Sequence, residues 1–96
     1  MAENEKSDNC IYIGGKSVRT YAEACSVQFD ELGAKEVILK TRGKFIVTAF
    51  NVAEFVKRRR SDVEIKEIKS GSETFKDEEH NKDIYVSTVE ITLKKK

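Results

Sequence analysis

Glu36-Val37-Ile38-Leu39-Lys40-Thr41-Arg42-Gly43-Lys44 is the stretch around which the rest of the chain organises. Val37, Ile38 and Leu39 follow one another without a polar break, the pattern of a strand covered on both faces, which places a strand over residues 36–41. Arg42, Gly43 and Lys44 then make a basic turn. Beyond it Ile46, Ala49, Phe50, Ala53 and Val56 recur at helical spacing until Lys57, Arg58, Arg59 and Arg60, four cations suited to the negative end of a helix dipole. Phe45, Val52 and Phe55 add a second apolar stripe to this helix. An apolar surface that wide exceeds what one-sided packing needs, so the stripe is expected to be a seam facing a partner.

Working towards the N-terminus, Cys10, Ile11, Tyr12 and Ile13 form a short β-prone run stopped by Gly14 and Gly15. Ser17 then offers a helix N-cap, and Val18, Tyr21, Ala22, Cys25, Phe29 and Leu32 share one helical face before Gly33 ends it. Towards the C-terminus, Val63 and Ile65 alternate and Ile68 breaks phase; Ile84 and Val86, then Val89, Ile91 and Leu93, show the same change. Such shifts indicate strong twist or bulges. Gly71 to Asp83 between them reads as a long polar connection. The order is βαβαββ, an α/β sandwich of one mixed sheet with two helices and a long hairpin between the last two strands.

The chain has 96 residues, 39% hydrophobic and 36% charged, which is the size of one domain. Residues 9–96 are assigned to it, and residues 1–8 are expected to be a disordered acidic tail. No apolar run approaches the roughly 20 residues that cross a bilayer, and the first residues lack the apolar stretch of a signal peptide, so an intracellular protein of the nucleus or cytoplasm is expected. Cys10 and Cys25 are too few for a disulfide framework and lie outside any zinc-binding spacing. Both read as thiols in packed positions.

The net charge of +1 conceals a segregation along the chain. Residues 9–60 carry ten bases against five acids, whereas residues 61–96 carry seven against nine and residues 1–8 one against three. A basic middle of this kind sets up a local field that attracts polyanions. A small core disfavours a deep substrate cavity, and no phosphate-loop spacing or Ser/His/Asp set occurs, so no small-molecule substrate and no cofactor are expected. His80 stands beside Asp77, Glu78 and Glu79, but neighbouring loop residues rarely converge and no second histidine exists, so no metal site is expected either.

Ile13-Gly14-Gly15-Lys16-Ser17-Val18, Val37 to Lys44, the I-x-x-A-x-x-x-A-E pattern at Ile46 to Glu54, and E-I-K-E-I-K-S-G-S followed by S-T-V-E-I-T-L resemble, in order and spacing, the Alba family of nucleic-acid-binding proteins. The resemblance spans residues 9–95. It implies the βαβαββ fold, a symmetric dimer, and binding of DNA or RNA through phosphates with little sequence preference. Position by position, it makes Lys16, Arg19, Lys40, Arg42, Gly43 and Lys44 the candidate nucleic-acid-binding residues, and the stripe of Phe45, Val52 and Phe55 read above is the candidate seam for the dimer it implies. Arg presents a planar fork to phosphate oxygens, Lys a mobile point charge, and Gly lets backbone approach a ligand.

Three features depart from the family pattern. Gly15 stands where relatives often carry a second lysine, so a regulatory acetylation there would have to move to Lys16 or be absent. Arg60 stands where archaeal relatives use an aromatic residue for dimer-to-dimer contact. Glu73, Asp77, Glu78, Glu79 and Asp83 make the hairpin acidic, which opposes duplex phosphates and favours single-stranded or structured RNA. The partner implied is a second Alba-like chain, identical or different, the latter as in eukaryotic ribonuclease P. A non-binding alternative gives Lys16 or Lys44 a Schiff base with an abasic-site aldehyde.

Overall fold

The computed structural model describes residues 9–96; the acidic segment 1–8 lies outside the described residues. Its elements are β1 (Cys10–Tyr12), α1 (Val18–Asp30), β2 (Glu36–Arg42), a 3-10 turn (Gly43–Phe45), α2 (Ile46–Arg59), β3 (Val63–Asp77) and β4 (Lys82–Lys95). The sheet order is β1-β2-β4-β3, with β1 parallel to β2 and the other pairs antiparallel. This is the expected α+β architecture with one mixed sheet and two helices.

Local chemistry sets the limits of α1. The Ser17 hydroxyl accepts a hydrogen bond from the Thr20 N–H at 3.2 Å, capping an otherwise unsatisfied donor. At the other end Gly33 takes φ +72°, and the following Ala34 N–H returns to the Gln28 carbonyl at 2.9 Å. Tyr21, Ala22, Cys25 and Phe29 form the buried face; Leu32, expected on it, lies past the helix end and is exposed. Burial of Cys25 pushes its thiol up to about 12, so it stays protonated at neutral pH.

Both helices cover the same side of the sheet, so β2 is covered on one face and not on two. Val37 and Leu39 point into the core, while Lys40 and Arg42 alternate onto the outer face. The phase break in β3 is a bulge: Ile65 opposes Leu93 and Glu67 opposes Thr92, leaving Lys66 extra. That added residue returns Ile68 to the side of Val63 and Ile65. β4 keeps one register throughout, so Ile84 and Val86 lie on the outer side, opposite to Val89, Ile91 and Leu93.

The expected polar connection is instead mostly strand. β3 runs to Asp77 and β4 starts at Lys82, joined by a four-residue turn with Asn81 at φ +53°. Polar residues form this ladder because both faces of the arm meet solvent, which removes the apolar alternation from the sequence.

The expected seam needs correcting. Val52 is 0% exposed within the single chain, held in the core beside Ala49, Ala53 and Val56, so it cannot face a partner. Phe55 packs against the core with the Arg59 guanidinium 4.7 Å above its ring. The outward stripe of α2 is Val47 and Phe50, 68% and 37% exposed, although Phe50 was expected in the core. Ile68 and Tyr85 project from the same side of the sheet and are also exposed.

Lys57, Arg58 and Arg59 occupy the last turn of α2, as the dipole favours, but Arg60 does other work. Its guanidinium donates to both carboxylate oxygens of Asp30 at 3.0 and 2.9 Å and to Asp62 at 3.1 and 3.0 Å. It also lies 5.3 Å from the Phe29 ring centroid. The fork therefore ties the end of α1 to the start of β3, and its hydrogen bonds hold the Asp30 and Asp62 carboxyls below the usual carboxylate range.

Candidate nucleic-acid interface

Because β1 and β2 are parallel, the loops that follow them leave the sheet at the same end. Arg42 at the end of β2 pairs with Thr88, so the first six residues of β4 and their β3 partners extend beyond it as an arm. Topology alone thus brings together the β1–α1 loop with Lys16, the turn with Arg42, Gly43 and Lys44, and the base of the hairpin.

Several contacts fix the β1–α1 loop. The Tyr21 hydroxyl accepts from the Gly14 N–H at 2.7 Å and the Lys16 N–H at 3.1 Å. Thr41 donates its hydroxyl to the Ile13 carbonyl at 2.8 Å, and the Ile13 N–H reaches the Lys40 carbonyl at 2.8 Å. A Cβ added at Gly15 would sit 3.9 Å from the Phe45 ring, so this loop lies against the basic turn. Phe45 is therefore the platform between the two loops, and the Lys44 ammonium lies 5.4 Å from its ring centroid.

Gly43 is required by its own backbone, which has φ +65°, and it faces the hairpin: an added Cβ would lie 3.6 Å from Val86 Cγ1. Arg42 is engaged by the arm as well. Its guanidinium donates to Glu73 at 2.9 Å and lies 5.1 Å from the Phe75 ring centroid, yet the side chain remains 59% exposed. One hairpin acid therefore reaches the basic cluster and does not project away from it. Lys40 sits on the outer sheet face, 3.9 Å from Glu90.

Arg19 is not part of this assembly. It lines a second hollow between the helices with Phe55, Arg59 and Arg60. The sequence reading missed Tyr21, whose helical spacing marks it only as core, and Tyr12, an exposed aromatic beside Lys40 and Arg42 at an open cleft of about 610 Å³. At the hairpin tip Asp77, Glu79 and His80 do converge, with ligand atoms within 4.8 Å, contrary to expectation. The turn explains this: Asp77 accepts from the Glu79 N–H at 3.1 Å and pairs with His80 Nδ1 at 2.8 Å.

Among the described residues, no helix is long and apolar enough to cross a membrane. The Alba family model matches residues 9–72, from the start of β1 into β3. "DNA/RNA-binding protein Alba" from Methanococcus maripaludis is 46% identical over 87 residues, covering 90% of this chain and 97% of that protein. "DNA/RNA-binding protein Alba 1" from Archaeoglobus fulgidus is 40% identical over 91 residues, covering 94% and 99%. The solved structure of Alba from Thermoplasma volcanium superposes with a TM-score of 0.79 at 35% identity, over 91% of this chain and all of that one. With the matched family, full-length relatives and fold in agreement, the chain belongs to the Alba family.

Proposed function

We infer that this chain binds DNA and RNA through their phosphates, as a non-catalytic protein acting inside the cell. The observation that carries this reading is the convergence of Lys16, Arg42 and Lys44 at the one sheet end where both loops and the arm emerge. Each side chain is exposed, and cations that engage phosphates give affinity with little sequence preference. The names of the relatives support the same ligand class.

The working form is a dimer with a second Alba-like chain, joined through the outward face of α2 and the helix side of β3 and β4. Val47, Phe50 and Ile68 supply its apolar surface, in place of the seam expected from sequence. Chromatin organisation and RNA regulation both follow from such a module. The test is competition of matched double-stranded DNA, single-stranded DNA and RNA for the purified chain, with its mass measured in solution. Binding by a dimer supports the reading; no binding to any of the three overturns it.

A further inference from the structure

The outer face of the sheet carries no helix, and at its β1 edge stands Tyr12, 72% exposed. The strand pleat puts it there, since Ile11 packs on the core and Ile13 is buried. Lys40 lies opposite Tyr12 in register, and Arg42 follows two residues along the same face. These three line the open cleft of about 610 Å³, whose other polar walls are Thr41, Glu73, Thr88 and Glu90.

The mixture of charges in this cleft determines what fits it. Two carboxylates in the walls oppose a phosphate inside but accept hydrogen bonds from the N–H groups of a nucleobase edge. Lys40 and Arg42, paired with Glu90 and Glu73 at 3.9 and 2.9 Å, then suit the flanking backbone, whose phosphates compete with those carboxylates. An exposed aromatic ring offers the face on which an unstacked base gains most, whereas a duplex keeps its bases stacked on one another and must break that stacking to supply one.

We propose that this cleft is a single-strand subsite in which one unstacked base lies on the Tyr12 ring while Arg42 and Lys40 hold the adjoining phosphates. The inference rests on the nucleic-acid reading above and assigns its ligand: single-stranded DNA or RNA is gripped by stacking, the duplex by charge alone. Arg42 is the residue common to both modes.

The test uses the full chain with a fluorescently labelled single strand and a matched duplex. Tyr12→Ala should weaken single-strand binding by roughly 5- to 150-fold, the loss expected when one stacking ring is removed, and duplex binding by less than about two-fold. Tyr12→Phe, which keeps the ring, should retain single-strand affinity. Because the chain has no tryptophan, Tyr12→Trp would add a single reporter whose emission should be quenched by the single strand. Equal losses on both ligands, undiminished single-strand binding by Tyr12→Ala, or unquenched emission at saturation would overturn the subsite. These outcomes leave the phosphate reading standing, because the unaltered chain still binds; failure of the unaltered chain to bind either ligand would remove both.

Discussion

Replacing Glu73 by Gln tests whether the hairpin restrains the basic cluster. In the structure Glu73 holds the Arg42 guanidinium at 2.9 Å, so a phosphate at Arg42 must compete with a carboxylate already there. With side-chain exposures of 59% and 50%, the pair belongs with surface ion pairs, worth about 0.2–1 kcal/mol, and not with the far costlier buried ones. Glu73→Gln keeps the shape and removes the charge, so phosphate binding should tighten by about 1.4- to 5-fold at low salt.

Screening supplies the control. The Debye length contracts from about 10 Å at 0.1 M salt to about 3 Å at 1 M, so the gain should shrink as salt rises. Anisotropy titrations of a labelled duplex across that range measure it. The gain should also disappear when Arg42 is already Ala, because the two residues act as one unit. A Glu73→Gln variant that binds no tighter at low salt, or gains equally in the Arg42→Ala background, would refute a restraining role for this contact.

Other outcomes follow from the corrected packing. Phe50→Asp should give a folded monomer in light scattering, whereas Val52→Asp should unfold the chain, losing on the order of 4 kcal/mol or more in denaturant titration through an unpaired buried charge. Arg60→Ala should lower the thermal midpoint by several degrees at neutral pH. Because Arg60 depresses the Asp30 and Asp62 carboxyls below their ordinary value of 3.8, their contribution is complete above that value and is lost as pH falls through the depressed ones. The variant and the unaltered chain should therefore converge in strong acid. Borohydride should trap no complex with an abasic oligonucleotide; an adduct lost on changing Lys16 or Lys44 would assign lyase chemistry instead.

The sequence was most legible where a residue's role depends on its immediate neighbours. Ser17 as a cap and Gly33 as a stop are local devices, and both act as read. Lys16, Arg42 and Lys44 were singled out through the family resemblance, and parallel strands place the turns that carry them at one end. Roles fixed by distant partners were hidden. Glu73 lies 31 residues from Arg42, and Tyr21 shows its apolar spacing but not the loop amides its hydroxyl would meet. Val52 and Phe55 do share an apolar side of α2, but periodicity gives no direction and the core claims that side, while Phe45 falls in the turn before the helix. The arm escaped because a strand wet on both faces carries no alternation.

The central claim is that cations at the loop end of the sheet neutralise phosphates, and the salt dependence of duplex affinity tests it most directly. Binding should weaken linearly in a log–log plot, varying little with sequence, because each neutralised phosphate releases counterions. Changing Arg42 and Lys44 together to Ala should reduce the magnitude of that slope by about two per engaged protomer. A slope that stays the same after both cations are removed would contradict the account and place the phosphates elsewhere on the molecule.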